Sequence, residues 1–244
     1  PVALRHAQRC HPYRLTDLGV LGGEDSRAYA VSSNGYVAGL GDTAPGTAWR
    51  GFHAFRWTPR HRFAGTGTLA DLGTLGEDVS SGASGVNRTG LTVGVSLSSE
   101  GGSVAFVARL RMRPLPGLGH GVSGAEDVDD HGRIVGHARA DDGHDHAVLW
   151  VRRRHGFRVV DLGVSHGRVG SSAMAISRYG HVAGDVSDPD YYGFAALWTP
   201  RHRHGTTGTW QELGLLPGGS GSIARDVNRH GVVVGEGQRR LAGR

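Results

Sequence analysis

One fourteen-residue pattern recurs five times along the chain, and it constrains the fold more than any other feature. The copies run from Ser26 to Gly39, Ser81 to Gly94, Ser123 to Gly136, Ser171 to Gly184 and Ser222 to Gly235. Each reads Ser-x-Ala-x-x-[Val/Ile]-[Ser/Asn/Asp]-x-x-Gly-x-[Val/Ile/Thr]-[Ala/Val]-Gly without a gap, and successive turn glycines lie 42 to 55 residues apart. Self-similarity at such a period marks a repeat architecture, in which each unit buries its faces only against its neighbours.

The pattern spells a β-hairpin. Two short β-favouring runs flank a turn opened by Ser32, Asn87, Asp129, Ser177 or Asn228. These short polar side chains can bond the backbone two residues on. A glycine closes each turn, at 35, 90, 132, 180 and 231, where positive φ is needed. The final glycine of each copy predicts a close backbone approach or a bulge. The alanine that follows each serine predicts tight packing beneath it.

Two more elements accompany each hairpin. Upstream stand Thr16-Asp17-Leu18-Gly19, Ala70-Asp71-Leu72-Gly73, Val160-Asp161-Leu162-Gly163 and Gln211-Glu212-Leu213-Gly214, while Pro114-Leu115-Pro116 has lost the acid. Downstream stand His53-Ala54-Phe55-Arg56-Trp57, Val104-Ala105-Phe106-Val107-Ala108, His146-Ala147-Val148-Leu149-Trp150 and Phe194-Ala195-Ala196-Leu197-Trp198. A fifth version, Val2-Ala3-Leu4-Arg5-His6, opens the chain. Four short strands per repeat, five times over, predict one all-β domain over residues 1–244, β-propeller-like, with about five four-stranded blades. An arc of a larger propeller and a β-solenoid are the alternative architectures. The innermost strand stays open, and so does the choice between a ring closed by mixed terminal strands and a chain that starts at a blade boundary. Glycine, at 42 of 244 residues, opposes long helices, since each interior Gly costs roughly 1 kcal/mol relative to Ala.

His53-Ala54-Phe55, the partial match His146-Ala147, Asp71-Leu72-Gly73-Thr74-Leu75-Gly76 and the fifth hairpin, Asn228 to Gly235, together resemble the HAF-repeat family. The resemblance covers nearly the whole chain. The third repeat departs from it at the Asp-Leu-Gly element, and the second lacks the strand tryptophan. It implies a bacterial, exported protein, extracellular or at the cell surface, and no known catalytic activity. The chain opens at Pro1 rather than Met, so a processed chain or a fragment is expected.

All 27 basic side chains other than histidine are arginine, which excludes a Gly-Lys-Ser phosphate loop, a Schiff-base lysine and a Ser-Lys dyad. The single Cys10 excludes an internal disulfide framework and has no partner pattern for nucleophilic work. No apolar run approaches the roughly 18 residues of a membrane-spanning helix. Asp17, Asp71, Asp161 and Glu212 recur at one repeat position, so they are expected to cap loop amides rather than to catalyse. Trp57, Trp150 and Trp198 are expected to pack between blades. The segment Asp141-Asp142-Gly143-His144-Asp145-His146 lacks the spacing of a zinc helix or a calcium loop. No catalytic residue, metal ligand or cofactor is therefore assigned.

Following the chain up and down through a blade places the hairpin tips and the turns after the His-Ala-Phe strands at one face. That face gathers Arg60, His61, Arg62, Arg109, Arg111, Arg113, Arg152, Arg153, Arg154, His155, Arg201, His202, Arg203 and His204. The tips add Arg88, Arg178 and Arg229. The opposite face gathers Glu24, Asp25, Glu77, Asp78, Glu100, Asp141, Asp142, Asp145, Asp185, Asp188 and Asp190. A net charge of +5 thus becomes a polarised disc. Arginine forks suit phosphate, sulfate and carboxylate groups. The expected binding residues are Arg60, His61, Arg62, Arg152, Arg153, Arg154, Arg201, His202 and Arg203, and the expected partner is an acidic polysaccharide or cell-wall polymer. Nucleic acid is disfavoured because no aromatic platform interleaves these turns. The function expected is a non-enzymatic binding scaffold. The alternative is a carbohydrate-active enzyme, which needs carboxylates such as Asp142, Asp188 and Asp190 to converge at the axis.

Overall fold

The computed structural model describes residues 15–46, 51–190 and 192–239. Among them are eighteen strands and no helix. The first sheet holds β1 (Ser26–Val31), β2 (Val37–Asp42), β3 (Phe52–Pro59) and β4 (Gly67–Asp71). The second holds β5 (Ser80–Val86), β6 (Thr92–Leu97), β7 (Ser103–Ala108) and β8 (Met112–Pro114). The third holds β9 (Ser123–Val128), β10 (Ile134–Arg139), β11 (Asp145–Arg153) and β12 (Gly156–Asp161). The fourth holds β13 (Gly170–Ile176), β14 (Val182–Ser187), β15 (Gly193–Pro200) and β16 (Gly208–Glu212). The fifth holds only β17 (Gly219–Val227) and β18 (Val233–Arg239). Every sheet is an antiparallel meander in sequence order, so the repeated hairpin supplies strands one and two. The His-Ala-Phe-type element is the third strand and the Asp-Leu-Gly-type element ends the fourth.

The hairpin chemistry repeats as the pattern requires. Asn87 accepts from the amides of Thr89 (3.0 Å) and Leu91 (3.1 Å) through Oδ1, and Asp129 does the same for His131 and Arg133 (both 2.9 Å). The closing glycines have φ between +74° and +96°. A Cβ on Gly39, Gly94, Gly136, Gly184 or Gly235 would lie 1.9–2.1 Å from a carbonyl oxygen of the first strand. That first strand carries a bulge three residues after the repeated Ser.

Neighbouring sheets stack face to face, and the core lies between them. Val93, Ala105 and Val107 of the second sheet pack with Ala125, Ile134 and Trp150 of the third. Val135 and Leu149 pack in turn with Ile176, Val182 and Trp198 of the fourth. Trp57, Trp150 and Trp198 are all buried, as expected of packing residues. The repeated Ser stitches one sheet to the next. Ser81 Oγ accepts from Ala54 N (2.8 Å) and donates to Gly73 O (2.6 Å). Ser171 Oγ accepts from Ala147 N (2.9 Å) and donates to Gly163 O (2.7 Å). Ser222 does the same with Ala195 (2.9 Å) and Gly214 (3.0 Å).

The hairpin ends of the first four sheets meet around a shallow pocket of about 250 Å³, lined among others by Val31, Asn87, Asp129 and Arg178. About five four-stranded blades, in a closed ring or an arc of a larger one, were expected, and the described residues depart from a closed ring of twenty strands in three ways. The fifth sheet has two strands, residues 15–20 lie in none, and no packed interface joins the first sheet to the fifth. The Val2 to His6 element and Cys10 lie outside the described residues.

Candidate functional site

Antiparallel order puts the hairpin turn and the turn between strands three and four at the same end of each sheet. Contacts between sheets then tie these turns into one surface. Asn34 Nδ2 donates to Arg88 O (2.8 Å), Asn87 Nδ2 to Asp129 O (2.9 Å) and Arg133 Nη2 to Arg178 O (3.3 Å).

The turns between strands three and four differ in length, and this shapes the surface. In the first and fourth sheets they span seven residues, 60–66 and 201–207. These long turns fold back over their own hairpins. His204 N donates to Tyr179 O (3.3 Å), and Arg203 stacks on the Tyr179 ring at 4.2 Å. Phe63 and His204 take φ of +61° and +63° to make the reversal. In the second and third sheets the turns shrink to residues 109–111 and 154–155. The corner they leave uncovered is a groove of about 1040 Å³.

Six arginines line this groove: Arg109, Arg111, Arg113, Arg152, Arg153 and Arg154, with His155 beside them. Leu91, Val107, Pro114 and Phe157 supply apolar surface between the charges. Arg109 is anchored through Nη2 to Thr89 Oγ1 (2.9 Å). Among the described residues, none of the six forms an ion pair with a carboxylate. Of the nine residues expected to bind, the structure places Arg152, Arg153 and Arg154 in the groove. Arg60, His61, Arg62, Arg201, His202 and Arg203 sit at the same end of their sheets but do not line it. The apolar floor escaped the sequence reading, although the contrast in turn length was a readable signal.

The other titratable clusters are committed to structure. Asp129, His131 and His204 offer ligand atoms within 4.8 Å of one another. Asp129 is already occupied, however: Oδ2 receives Arg133 Nε (2.8 Å) and Nη2 (2.5 Å), and Oδ1 receives two backbone amides. Burial, then the Arg133 and His131 charges, hold His204 below the ordinary histidine range. Arg133 thus compensates the buried Asp129, while His204 packs against the His131 ring with centroids 4.4 Å apart.

Asp17, Asp71 and Asp161 each accept from the amide two residues on, at 2.7–2.9 Å, which is the capping role expected of them. Glu212 differs, because it pairs bidentately with Arg168 (2.7 and 2.9 Å). At the opposite end, Asp142 accepts from His144 N and Asp188 from Asp190 N and Tyr192 N. Asp142, Asp188 and Asp190 thus lie in loops between strands two and three, away from the pocket where the hairpin ends meet. Asp185 departs from the expected acidic face. It sits within β14, bonded to Ser172 Oγ, and burial raises its pKa. The acids at that pocket are Asp127, Asp129 and Asp130. Asp127 accepts from Val128 N (2.7 Å) and Ile176 N (2.9 Å), and Arg88 lies 3.8 Å from Asp130.

No known family model matches the chain, and no curated protein matches it.

Proposed function

We propose that the chain is a non-enzymatic, propeller-like scaffold that binds acidic polymers in its arginine-lined groove. The observation that carries this reading is the groove itself: six arginines without acid partners among the described residues, set around an apolar floor. Like charges crowded together raise the local potential and favour a multivalent anion over a single small one. The guanidinium fork matches phosphate, sulfate and carboxylate groups alike. The apolar floor suits the ring faces of a sugar chain. The resemblance to HAF repeats adds an exported setting, where acidic polysaccharides and poly(glycerol phosphate) are the abundant polyanions.

Binding to polygalacturonate and to poly(glycerol phosphate), each followed through a salt titration, tests the reading. Tight binding should weaken steeply with salt as screening sets in. Changing Arg111, Arg113, Arg152, Arg153 and Arg154 to Ser should weaken it at least about tenfold, since each hydrogen bond to a charged group contributes ~1.5–3 kcal/mol. Changing Arg60, Arg62, Arg201 and Arg203 to Ser should cost less. Absent binding, or equal loss from both sets, sinks the assignment to the groove.

A further inference from the structure

The third sheet breaks the repeat at the rung that opens into the groove. Two residues beyond the strand tryptophan, the first and fourth sheets pair Pro59 with Gly67 and Pro200 with Gly208. A Cβ on either glycine would lie 2.6 Å from the ring of Trp57 or Trp198 and 2.3 Å from a strand carbonyl oxygen, so the packing there excludes a side chain. In the third sheet the same rung pairs Arg152 with Phe157. Trp150 donates from Nε1 to Pro116 O (2.7 Å), and the position on the neighbouring strand holds a phenylalanine.

The strand places this ring. Residues two apart on a strand share a face, so Phe157 follows Val159 outward from the core. Both pack against the cluster that holds Val107 and Trp150. Phe157 is half-buried there, and its remaining surface lines the groove. Arg152 stands directly opposite, on the same face, at the roughly 4.5–5.5 Å Cβ spacing of a cross-strand pair. Two other aromatic rings at this end of the sheets already carry an arginine: Arg62 lies 4.6 Å over Phe63, and Arg203 lies 4.2 Å over Tyr179. Among the described residues no arginine stacks on Phe157.

We propose that the groove takes uronic-acid polysaccharides, with a sugar ring seated on Phe157 and its carboxylate held by the neighbouring arginines. The inference rests on the groove being the binding site, and it narrows the ligand class. A pyranose ring presents an apolar C–H face, which the negative face of an aromatic ring attracts. A uronate adds a planar carboxylate at the rim of that ring, and the guanidinium fork matches it bidentately. Arg152 opposite the phenylalanine, with Arg153 and Arg154 after it, brings such forks beside the ring. Poly(glycerol phosphate) offers the anions without the ring. A single-stranded polynucleotide stacks successive bases on several aromatic side chains. Among the described residues lining the groove, Phe157 is the one phenylalanine, tyrosine or tryptophan, and Leu91, Val107 and Pro114 continue its floor as aliphatic surface. That composition favours a sugar chain.

The affinities of the full chain for polygalacturonate, poly(glycerol phosphate) and oligodeoxythymidylate, compared in the parent, Phe157→Leu and Phe157→Trp, test this. Leucine keeps apolar packing against the core and removes the aromatic face. Phe157→Leu should weaken polygalacturonate binding about fivefold to tenfold, and at least about threefold more than it weakens poly(glycerol phosphate) binding. That loss should stay constant through a salt titration, because stacking is not screened as the arginine contacts are. Phe157→Trp keeps an aromatic face and should bind polygalacturonate at least as tightly as the parent. Weaker binding by this variant refutes the stacking even where Phe157→Leu does not fold. Equal losses on both polymers in Phe157→Leu make Phe157 a packing residue and overturn the assignment, as does no loss on polygalacturonate. Oligodeoxythymidylate bound more tightly than polygalacturonate, and weakened in Phe157→Leu, gives the ring to a base and overturns the uronate class. Poly(glycerol phosphate) binding without polygalacturonate binding overturns that class alone and leaves the groove as an anion site. Binding of none of the three removes the groove reading itself.

Discussion

At the scale of single residues, the repeated Ser does more than its place in the pattern suggests. Ser171 is buried, and its one hydroxyl satisfies a strand amide from the sheet before and a loop carbonyl. Ser171→Ala orphans both groups and should lower stability by about 1–3 kcal/mol, measured by urea unfolding. An unchanged midpoint would mean that water replaces the hydroxyl and that the stitch is incidental. Gly184→Ala should be worse, because its Cβ would lie 1.9 Å from Ser172 O and the backbone cannot yield without breaking the bulge. The glycine's need for space was legible, since a recurrent Gly at a fixed place in a strand has few other causes. The bond made by the serine was not. Its partner stands 24 residues away on another sheet, and only the stacking of sheets brings the two together.

At the scale of the strand pair, the histidine of the third strand and the acid of the fourth behave as one unit. His53 Nδ1 meets Asp71 at 2.9 Å, and His146 Nδ1 meets Asp161 at the same distance. Where Val104 replaces the histidine, Pro114 replaces the acid. Where Phe194 replaces it, Arg168 supplies the cation, stacked 3.8 Å above the Phe194 ring and bonded to Glu212. The loss of the acid in the third Asp-Leu-Gly element was visible in the sequence, but its cause needed the strand register. His146 also reaches Asp142, at 3.1 Å. Burial opposes its charge, yet Asp161 and Asp142 outweigh burial and hold its pKa above the usual 6.5. The stabilisation from protonated His146 is fully present below 6.5 and is lost as pH rises through the raised value. The melting temperature of the parent should therefore fall as pH rises across that window, and His146→Asn should flatten the response. An imidazole titrating at or below 6.5 by NMR would contradict the pairing.

At the scale of the whole molecule, repeat arithmetic gave the number of sheets and set the hairpin turns and the turns between strands three and four at one end of each sheet. It could not place a groove, which depends on turns too short to cover their hairpins, nor reveal which acids gather where the hairpin ends meet. Asp127 is one of these. Burial raises its pKa to about 6 against the pull of two backbone amides, and the negative charge of Asp226, two sheets along the chain, adds to the shift. The acid is thus a probe of how closely the third and fifth sheets approach each other. Its folded state holds the proton more tightly than the unfolded chain does. The resulting stabilisation is complete below 3.8 and disappears as pH rises through about 6. Acidification from neutrality should raise the melting temperature across this window, below the one set by His146. Asp127→Asn should abolish that lower step and leave the upper one intact. Asp226→Asn should keep the step but move it to lower pH, because the acid then loses a repelling neighbour while remaining buried. A step that stays in place in Asp226→Asn would mean that the fifth sheet stands too far from the axis to be felt, and that the sheets do not curve around a common centre.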